Sequence, residues 1–143
     1  MQNYSFSMVL RIWHPAMDPA EITAELGLQP VRTMRAGERR MTPKGQLLDG
    51  LYAESYWCAD PYQRGEWQST TDTIEDLVAE NRRLLEPHRA FLARVRDGGG
   101  RIHLQVSSYS PRNYTLELPP ELLLRCGGLG LSFVHDVYPA ARL

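Results

Sequence analysis

The sequence predicts a single α+β domain in which helices pack mainly on one face of a mixed or antiparallel sheet. Several short segments alternate between apolar and polar residues, as half-buried strands do. Two kinds of helical segment, short capped ones and one long amphipathic one, separate groups of strands instead of alternating regularly with single strands. The predicted order over residues 1–143 is β-α-β-β-α-β-β-α-β.

The composition is that of a chain that folds alone as one domain. Hydrophobic residues make up 43% and charged residues 23%, which is far from the signature of disorder. A length of 143 residues suits one hydrophobic core. The formal net charge of -1 argues against a generally cationic protein, so we expect no nucleic-acid partner.

Two features of the sequence bear on the cellular compartment. The amino terminus lacks the basic region and apolar run of a secretory signal, and no window approaches the ~20 apolar residues that span a bilayer. Cys58 and Cys126 are too few for a disulfide framework and too far apart for a CxxC-type zinc half-site. We therefore expect a cytoplasmic protein with no membrane contact, no metal and no cofactor.

The amino-terminal half begins with a strand and a short capped helix. Residues 4–13 alternate in polarity, and Asp18 before Pro19 is typical of a helix start. Gly27 is typical of a left-handed helix end. The other elements predicted in this half are a strand over residues 31–35, a basic loop over 37–45, an aromatic-rich strand over 52–58 and a turn over 60–65.

The carboxy-terminal half begins with the longest predicted helix. It starts near Thr71 and keeps helical spacing to Val95, but Pro87 should kink or break it. Three glycines, residues 98–100, predict a flexible reversal. The elements predicted after them are a strand over residues 101–109, a hairpin connection over 110–113, a returning strand over 114–118, a helix over 120–126 and a last strand over 129–138.

Part of the chain repeats itself. Glu21, Ile22, Leu26 and Gly27 recur one hundred positions later as Glu121, Leu122, Cys126 and Gly127, and residues 3–6 are similar to residues 113–116. We interpret this as a duplicated, ferredoxin-like β-α-β element. The alternative is that two capped helices are alike without common ancestry.

The same residues resemble a bacterial family classified as domain of unknown function 4279. The segments that carry the resemblance are Leu10-Arg11-Ile12, residues 18–30 with Leu26-Gly27-Leu28-Gln29-Pro30, Ala36-Gly37-Glu38, the segment around Trp57 and the closing strand with Asp136-Val137-Tyr138. The resemblance covers nearly the whole chain. That family has no established activity, so the resemblance implies the fold and the compartment but no catalytic residue.

A basic run is the first candidate binding site. It comprises Arg32, Arg35, Arg39, Arg40 and Lys44, with Glu38 as the one counter-charge among them. Guanidinium groups pair bidentately with carboxylates and phosphates, so this run is suited to an acidic partner surface. The alternative is a solvated loop whose charges balance carboxylates elsewhere in the chain.

Aromatic residues concentrate next to this basic run. Trp57 and Trp67 are accompanied by Tyr52, Tyr56 and Tyr62. They either fill one end of the core or line a binding groove together with the basic loop. Tryptophan, tyrosine and arginine are enriched at interface hot spots, so we select Trp57 and Trp67 as candidates for recognition.

The polar faces of the predicted strands form the third candidate. If the strands are neighbours, one open sheet surface would carry Arg11, Trp13, His103, Gln105, Tyr109, Glu117 and Asp136. An imidazole, an arginine and aromatic rings combine charge recognition with flat apolar area, which suits a ligand or a protein. The alternative is an ordinary solvent-facing side of a sheet.

No motif indicates an enzyme. A nucleophile beside a base, paired carboxylates, a metal-ligand cluster and a phosphate loop all lack recognisable spacing. His135 and Asp136 are adjacent on a predicted strand, so their side chains should point to opposite faces.

The leading hypothesis is therefore a non-catalytic binding module that recognises an acidic protein partner through residues 35–44 and the segment from Trp57 to Trp67. An immunity-type role, the neutralisation of a toxin, belongs to this class. The alternative is a small-molecule sensor that uses Arg11, His103 and Tyr109, and an enzyme ranks third. A homodimer is compatible with the sequence because exposed sheet edges often pair.

Overall fold

The fold is a mixed sheet with helices on one face, as the sequence predicts. The computed structural model describes residues 2–139. The strands are β1 (Ser5–His14), β2 (Arg32–Met34), β3 (Arg39–Met41), β4 (Leu47–Leu51), β5 (Ser55–Ala59), β6 (Trp67–Gln68), β7 (Arg101–Tyr109) and β8 (Leu131–Tyr138). The helices are α1 (Pro19–Leu26), α2 (Ile74–Leu85), α3 (Arg89–Asp97) and α4 (Pro120–Gly128).

The central strand β1 organises the main sheet, whose order is β2-β5-β1-β7-β8. Phe6, Met8, Leu10 and Ile12 of β1 are buried, while the alternate side chains are only half-buried. β1 pairs antiparallel with β5 on one side and with β7 on the other. β8 pairs parallel with β7, and the short β6 pairs antiparallel with the start of β1. One face of the sheet is therefore covered by the helices, and the other, which we call the open face, is not.

The helices begin and end where the sequence places their signals. Asp18 Oδ1 accepts a hydrogen bond from the Ala20 N–H at the start of α1, and Gly27 closes this helix with a φ of 66°. The long helical segment breaks at Pro87, where a 3₁₀ turn over Glu86–His88 separates α2 from α3. Within residues 2–139, no helix has both the length and the apolar character needed to cross a membrane.

Three predictions are wrong: the loop over residues 37–45, the hairpin connection over residues 110–113 and the strand over residues 114–118. Residues 37–45 were expected to form a loop, but β3 and β4 pair there as a separate two-stranded sheet. Residues 114–118 were expected to form a strand, but they extend without ladder hydrogen bonds, and Leu116 and Leu118 alternate because they pack against the core. β7 is followed by a crossover through α4 to a parallel strand, which a tight hairpin cannot provide.

The predicted β-α-β repeat is present only in part. β1 and β2 are both antiparallel to β5, so α1 connects two strands that run in the same direction with one strand between them. α4 connects β7 and β8, which are parallel and adjacent. The strand before α4 is thus β7, and residues 113–116, which are similar to residues 3–6, form no strand.

The three glycines after α3 form a closely packed turn. Gly99 has a φ of 93°, which favours glycine. A Cβ atom on Gly100 would lie 2.5 Å from the Trp13 carbonyl oxygen and 2.7 Å from the Val95 carbonyl oxygen. Glycine is therefore required here because the backbone of β1 and the end of α3 leave no room for a side chain.

Candidate functional site

The basic run lies mostly on an exposed hairpin formed by β3 and β4, which we call the basic hairpin. Arg39 is paired with Leu51, and Met41 with Leu47, with an irregularity between the two pairs. The turn is closed by a hydrogen bond from the Thr42 N–H to the Gln46 carbonyl at 2.8 Å. Because neither strand joins the main sheet, the hairpin extends from the body of the protein as an arm.

The base of the basic hairpin is held firmly. The Gly37 N–H donates to the Tyr52 carbonyl, and the Tyr52 N–H donates to the Glu38 carbonyl, each at 2.9 Å. The Tyr52 hydroxyl bridges to the backbone of Met41. The Ala36 N–H donates to Ser55 Oγ at 3.0 Å, which anchors the base to β5. The arm therefore has a defined orientation.

The surface of the basic hairpin combines cations with exposed apolar side chains. Met41, Leu47 and Leu51 are 43%, 51% and 63% exposed. Arg39 Nε donates to the Leu48 carbonyl, and Arg40 Nη1 donates to the Asp49 carbonyl. Each guanidinium keeps further N–H donors, since arginine carries five. Apolar side chains rimmed by charges on a projecting element are typical of an interaction site.

Lys44 and Arg35 occupy different positions relative to this arm. Lys44 lies exposed in the turn at the tip of the basic hairpin. Arg35 lies at its base, where its guanidinium forms an ion pair with Asp18 at 3.1 Å. Arg35 therefore connects the base of the basic hairpin to the start of α1, and Asp18 partly neutralises its charge.

The two tryptophans selected for recognition are core residues. Trp57 is 0% exposed, and its Nε1 donates to Thr23 Oγ1 of α1 at 3.0 Å. Trp67 is 7% exposed and stacks on Phe6 with ring centroids 6.4 Å apart. A partner cannot reach these rings in this conformation. The two tryptophans therefore fill the core, as in the first of the two alternatives drawn from the sequence, whereas the Tyr52 hydroxyl contacts Met41 of the basic hairpin.

The open face brings together polar side chains from four adjacent strands. Arg11 on β1 donates from Nε to the Tyr56 hydroxyl on β5 at 2.8 Å, and from Nη1 to Gln105 Oε1 on β7 at 2.5 Å. Gln105 Nε2 donates to Asp136 Oδ2 on β8 at 2.8 Å. This row links the four strands and uses part of the hydrogen-bonding capacity of Arg11 within the chain itself.

Aromatic rings and cations surround Trp13 on the same face. The His103 ring meets Trp13 edge-on with centroids 4.7 Å apart, and the guanidinium of Arg101 lies 4.3 Å from the Trp13 centroid. Burial lowers the pKa of His103, and the charges of Arg101 and Arg11 lower it further. His103 is therefore neutral at neutral pH.

The open face is too extended to hold one small ligand on all three predicted residues. Arg11 and His103 are directly opposite each other in the ladder, but Tyr109 lies six residues further along β7, about 20 Å away. Tyr109 stacks with Tyr138 at that end. Glu117 is not on this face at all, because its N–H donates to Glu75 at the start of α2.

A polar cluster that the sequence analysis missed lies on the covered face. Ser108, Tyr114 and His135 form a closed triangle of hydrogen bonds, with Ser108 Oγ 2.8 Å and Tyr114 Oη 3.0 Å from His135 Nε2. Burial lowers the pKa of His135, and the carboxylate of Asp136 opposes this shift. Ser108 is fully buried, so no substrate can reach its hydroxyl as a nucleophile.

A concavity of about 420 Å³ adjoins this cluster. Its lining includes the polar side chains of Arg112, Tyr114 and His135 and the apolar side chains of Leu116 and Val137. This volume is within the range of small-molecule sites. Arg11 and His103 line none of the concavities that surround this region.

These geometries define a class of protein: a small α+β domain with a one-sided helical layer, an open sheet face and a projecting basic hairpin. The chain belongs to the family described as Domain of unknown function (DUF4279), whose sequence profile matches residues 3–140. No curated protein and no solved structure matches the chain.

Proposed function

We propose that this protein is a non-catalytic binding module that recognises an acidic protein partner through the basic hairpin. The observation that carries the proposal is the exposure of Met41, Leu47 and Leu51 on an arm that also presents Arg39 and Arg40. Single exposed apolar residues are ordinary, but here Met41 lies directly opposite Leu47, and Leu51 lies opposite Arg39 on the same two strands. The exposure of these apolar side chains beside guanidinium groups supports contact with another molecule.

The chemistry of the hairpin specifies the partner. Carboxylates would pair with the remaining guanidinium donors of Arg39 and Arg40, and Lys44 at the tip adds a third cation. An apolar patch on the partner would cover Met41, Leu47 and Leu51. An extended phosphate backbone would satisfy the cations but leave these three side chains in water. A folded acidic protein therefore fits better than a nucleic acid.

The cytoplasm is the compartment we propose for this interaction. Cys58 and Cys126 are both buried, unpaired thiols. Unpaired thiols are typical of reducing compartments. An immunity-type role, in which the partner is a toxin whose acidic surface is occluded, is the specific form of the proposal.

The test is partner capture with charge-reversed protein. Tagged wild-type protein and an Arg39→Glu/Arg40→Glu variant are incubated with nuclease-treated lysate of the source cell, at low and at high salt. We expect one dominant protein to be captured by the wild type in a salt-sensitive manner and to be lost with the variant. The melting temperature should change little, because both arginines are exposed.

A matched control separates the hairpin from overall charge. Arg83→Glu/Arg125→Glu makes the same change in net charge on exposed positions of α2 and α4. This control should capture the partner as the wild type does. Equal capture by the hairpin variant and the wild type would exclude the basic hairpin. Capture that occurs in untreated lysate but not in nuclease-treated lysate would identify nucleic acid instead.

A second candidate function is small-molecule sensing, and the concavity beside Tyr114 and His135 favours it. This concavity combines a phenol, apolar side chains and an imidazole whose pKa burial lowers, and Arg11 and His103 are not among its lining residues. Arg112 in the lining suits a carboxylate on a ligand with an apolar body.

Two probes of the same shape and opposite charge test this second candidate. Benzoate should raise the melting temperature and shift the amide resonances of the lining residues, and benzylamine should do neither. Arg112→Gln should remove the response to benzoate. Equal responses to both probes, or shifts spread over the whole surface, would contradict a carboxylate site at this position.

A further inference from the structure

Among the residues that the structure describes, none pairs with the outer edge of β8. β8 is the last strand of the main sheet and pairs with β7 over eight consecutive positions, from Leu131 opposite Ile102 to Tyr138 opposite Tyr109. Among residues 2–139, no strand lies on its other side. Alternate backbone N–H and C=O groups therefore face outward, and Val137 is 60% exposed.

The two edges of the sheet differ in their protection. Edge strands are normally short, or carry lysine, proline or a bulge that prevents pairing with another chain. The opposite edge, β2, has three residues, follows Pro30 and carries Arg32. β8 has eight residues in unbroken register, without proline, lysine or bulge, and Asp136 is its one acidic or basic residue apart from His135. β8 therefore lacks the features that normally prevent an edge strand from pairing with another chain.

We propose that β8 pairs antiparallel with β8 of a second copy of this chain, so that the two main sheets become one continuous sheet. A two-fold axis makes the pairing of identical strands antiparallel. With this axis perpendicular to the sheet, the helix-covered face of one copy continues into that of the other. The pairing involves neither the basic hairpin nor its partner, so it stands apart from the proposed function.

Pairing of β8 with its own copy brings no like charges together in the registers that pair most of the strand. If the axis passes through Val134, Asp136 lies opposite Ser132, and the exposed Val137 lies opposite Leu131. If the axis passes through His135, Asp136 lies opposite Val134. Asp136 meets its own copy only when the axis passes through Asp136, a register that leaves residues 131–133 of β8 unpaired. Self-pairing would therefore give hydrogen-bond partners to the outward backbone groups of β8 without placing like charges opposite each other.

We expect a weak dimer. A contact one strand wide buries less than the ~1,600 Å² of a standard interface. Association should therefore be concentration-dependent, with a Kd in the micromolar range. Antiparallel pairing would also protect alternate amide protons of β8 from exchange, whereas those of β2 at the other edge would be unaffected.

Sedimentation velocity over a concentration series is the first measurement. The wild type should shift from monomer to dimer, and Val137→Lys should remain monomeric because it places a charge on the paired edge. Val31→Lys is the matched control, since Val31 is 72% exposed beside the opposite edge. It should dimerise as the wild type does. Near-ultraviolet circular dichroism checks the folding of both variants, and Ser132→Lys replaces Val137→Lys if the latter unfolds.

Deuterium exchange of the wild type at low and high concentration requires no variant. Amides of residues 131–138 should exchange more slowly at high concentration. A wild type that remains monomeric to near-millimolar concentration would overturn the proposal. So would a dimer that persists in Val137→Lys and Ser132→Lys, or concentration-dependent protection elsewhere in the chain. An edge that takes a peptide from another protein, with no self-association, would also overturn it.

Discussion

Ser108 Oγ lies 2.8 Å from His135 Nε2, so the parallel pair of β7 and β8 carries a polar contact on its otherwise apolar, helix-covered face. Tyr114, from the segment that follows β7, completes the contact with both residues. This triangle fixes the crossover segment against the sheet at the point where the concavity begins. Ser108 belongs to the buried core, whereas Tyr114 and His135 also line the concavity, so the triangle joins the core to the concavity.

Ser108→Ala should lower the free energy of unfolding by about 1–2 kcal/mol, because the Tyr114 hydroxyl and His135 Nε2 each lose a buried partner. Urea denaturation monitored by tryptophan fluorescence measures this loss. Ser107→Ala, one residue earlier on the open face, is the matched control and should change stability by less than about 0.5 kcal/mol. Equal effects of the two substitutions would mean that the hydrogen-bonded triangle contributes nothing to the free energy of unfolding.

Stability should fall on mild acidification through two histidines. Burial lowers the pKa of both His103 and His135 below the ordinary value of 6.5. The unfolded chain then binds more protons than the folded chain as the pH falls below that value, so the free energy of unfolding decreases. The loss begins below the unfolded pKa and is complete once the pH is below the folded pKa values. Denaturation midpoints between about pH 7 and about pH 5 measure it.

Variants assign this pH dependence to its sources. His135→Gln and His103→Gln should each reduce the fall in the free energy of unfolding on acidification. The double variant should reduce this fall more than either single variant. Their effects should add, because the two side chains lie on opposite faces of the sheet and share no partner. A decline that is as steep in the double variant as in the wild type would show that other groups cause it.

The sequence predicts the fold where the signal is local. The alternation in β1, the cap at Asp18 and the break at Pro87 each act within a few residues, and all three are confirmed. The basic hairpin was missed because it buries neither face, so its strands show no polarity alternation. Residues 114–118 alternate as a strand does, but an extended segment that packs one side on a core shows the same pattern.

The candidate sites also divide into features with a local sequence signal and features that depend on contacts between distant segments. Alternation alone places Arg11 and His103 on the open face, but only the strand order makes them neighbours. Ser108 and His135 did give a signal, because each is a polar residue at a buried phase of its strand. To infer from this signal that Ser108 and His135 are neighbours, one must know that β7 and β8 pair in parallel. That pairing depends on contacts between distant segments and has no local signature in the sequence.

Trp57→Phe should affect stability and leave partner capture unchanged. Trp57 is fully buried and donates to Thr23 Oγ1, so the smaller ring leaves a cavity and removes this hydrogen bond, at a cost of about 2 kcal/mol. The folded variant should bind the partner of the basic hairpin with the affinity of the wild type. Arg39→Glu/Arg40→Glu should show the opposite behaviour. Reduced capture by folded Trp57→Phe would contradict this prediction and would indicate that Trp57 contributes to binding.

Gly100→Ala should be among the most destabilising single substitutions of a surface turn in this protein. Its Cβ would lie 2.5 Å from the Trp13 carbonyl oxygen and 2.7 Å from the Val95 carbonyl oxygen, so the backbone of β1 or α3 must move. We expect a loss of about 3 kcal/mol in the free energy of unfolding. Gly127→Ala in α4 is the matched control, because its Cβ would meet nothing within 4 Å. That substitution should raise stability by up to about 1 kcal/mol through helix propensity. Similar denaturation midpoints for the two variants would contradict the steric account, and would mean instead that the reversal after α3 is flexible enough to accept a side chain.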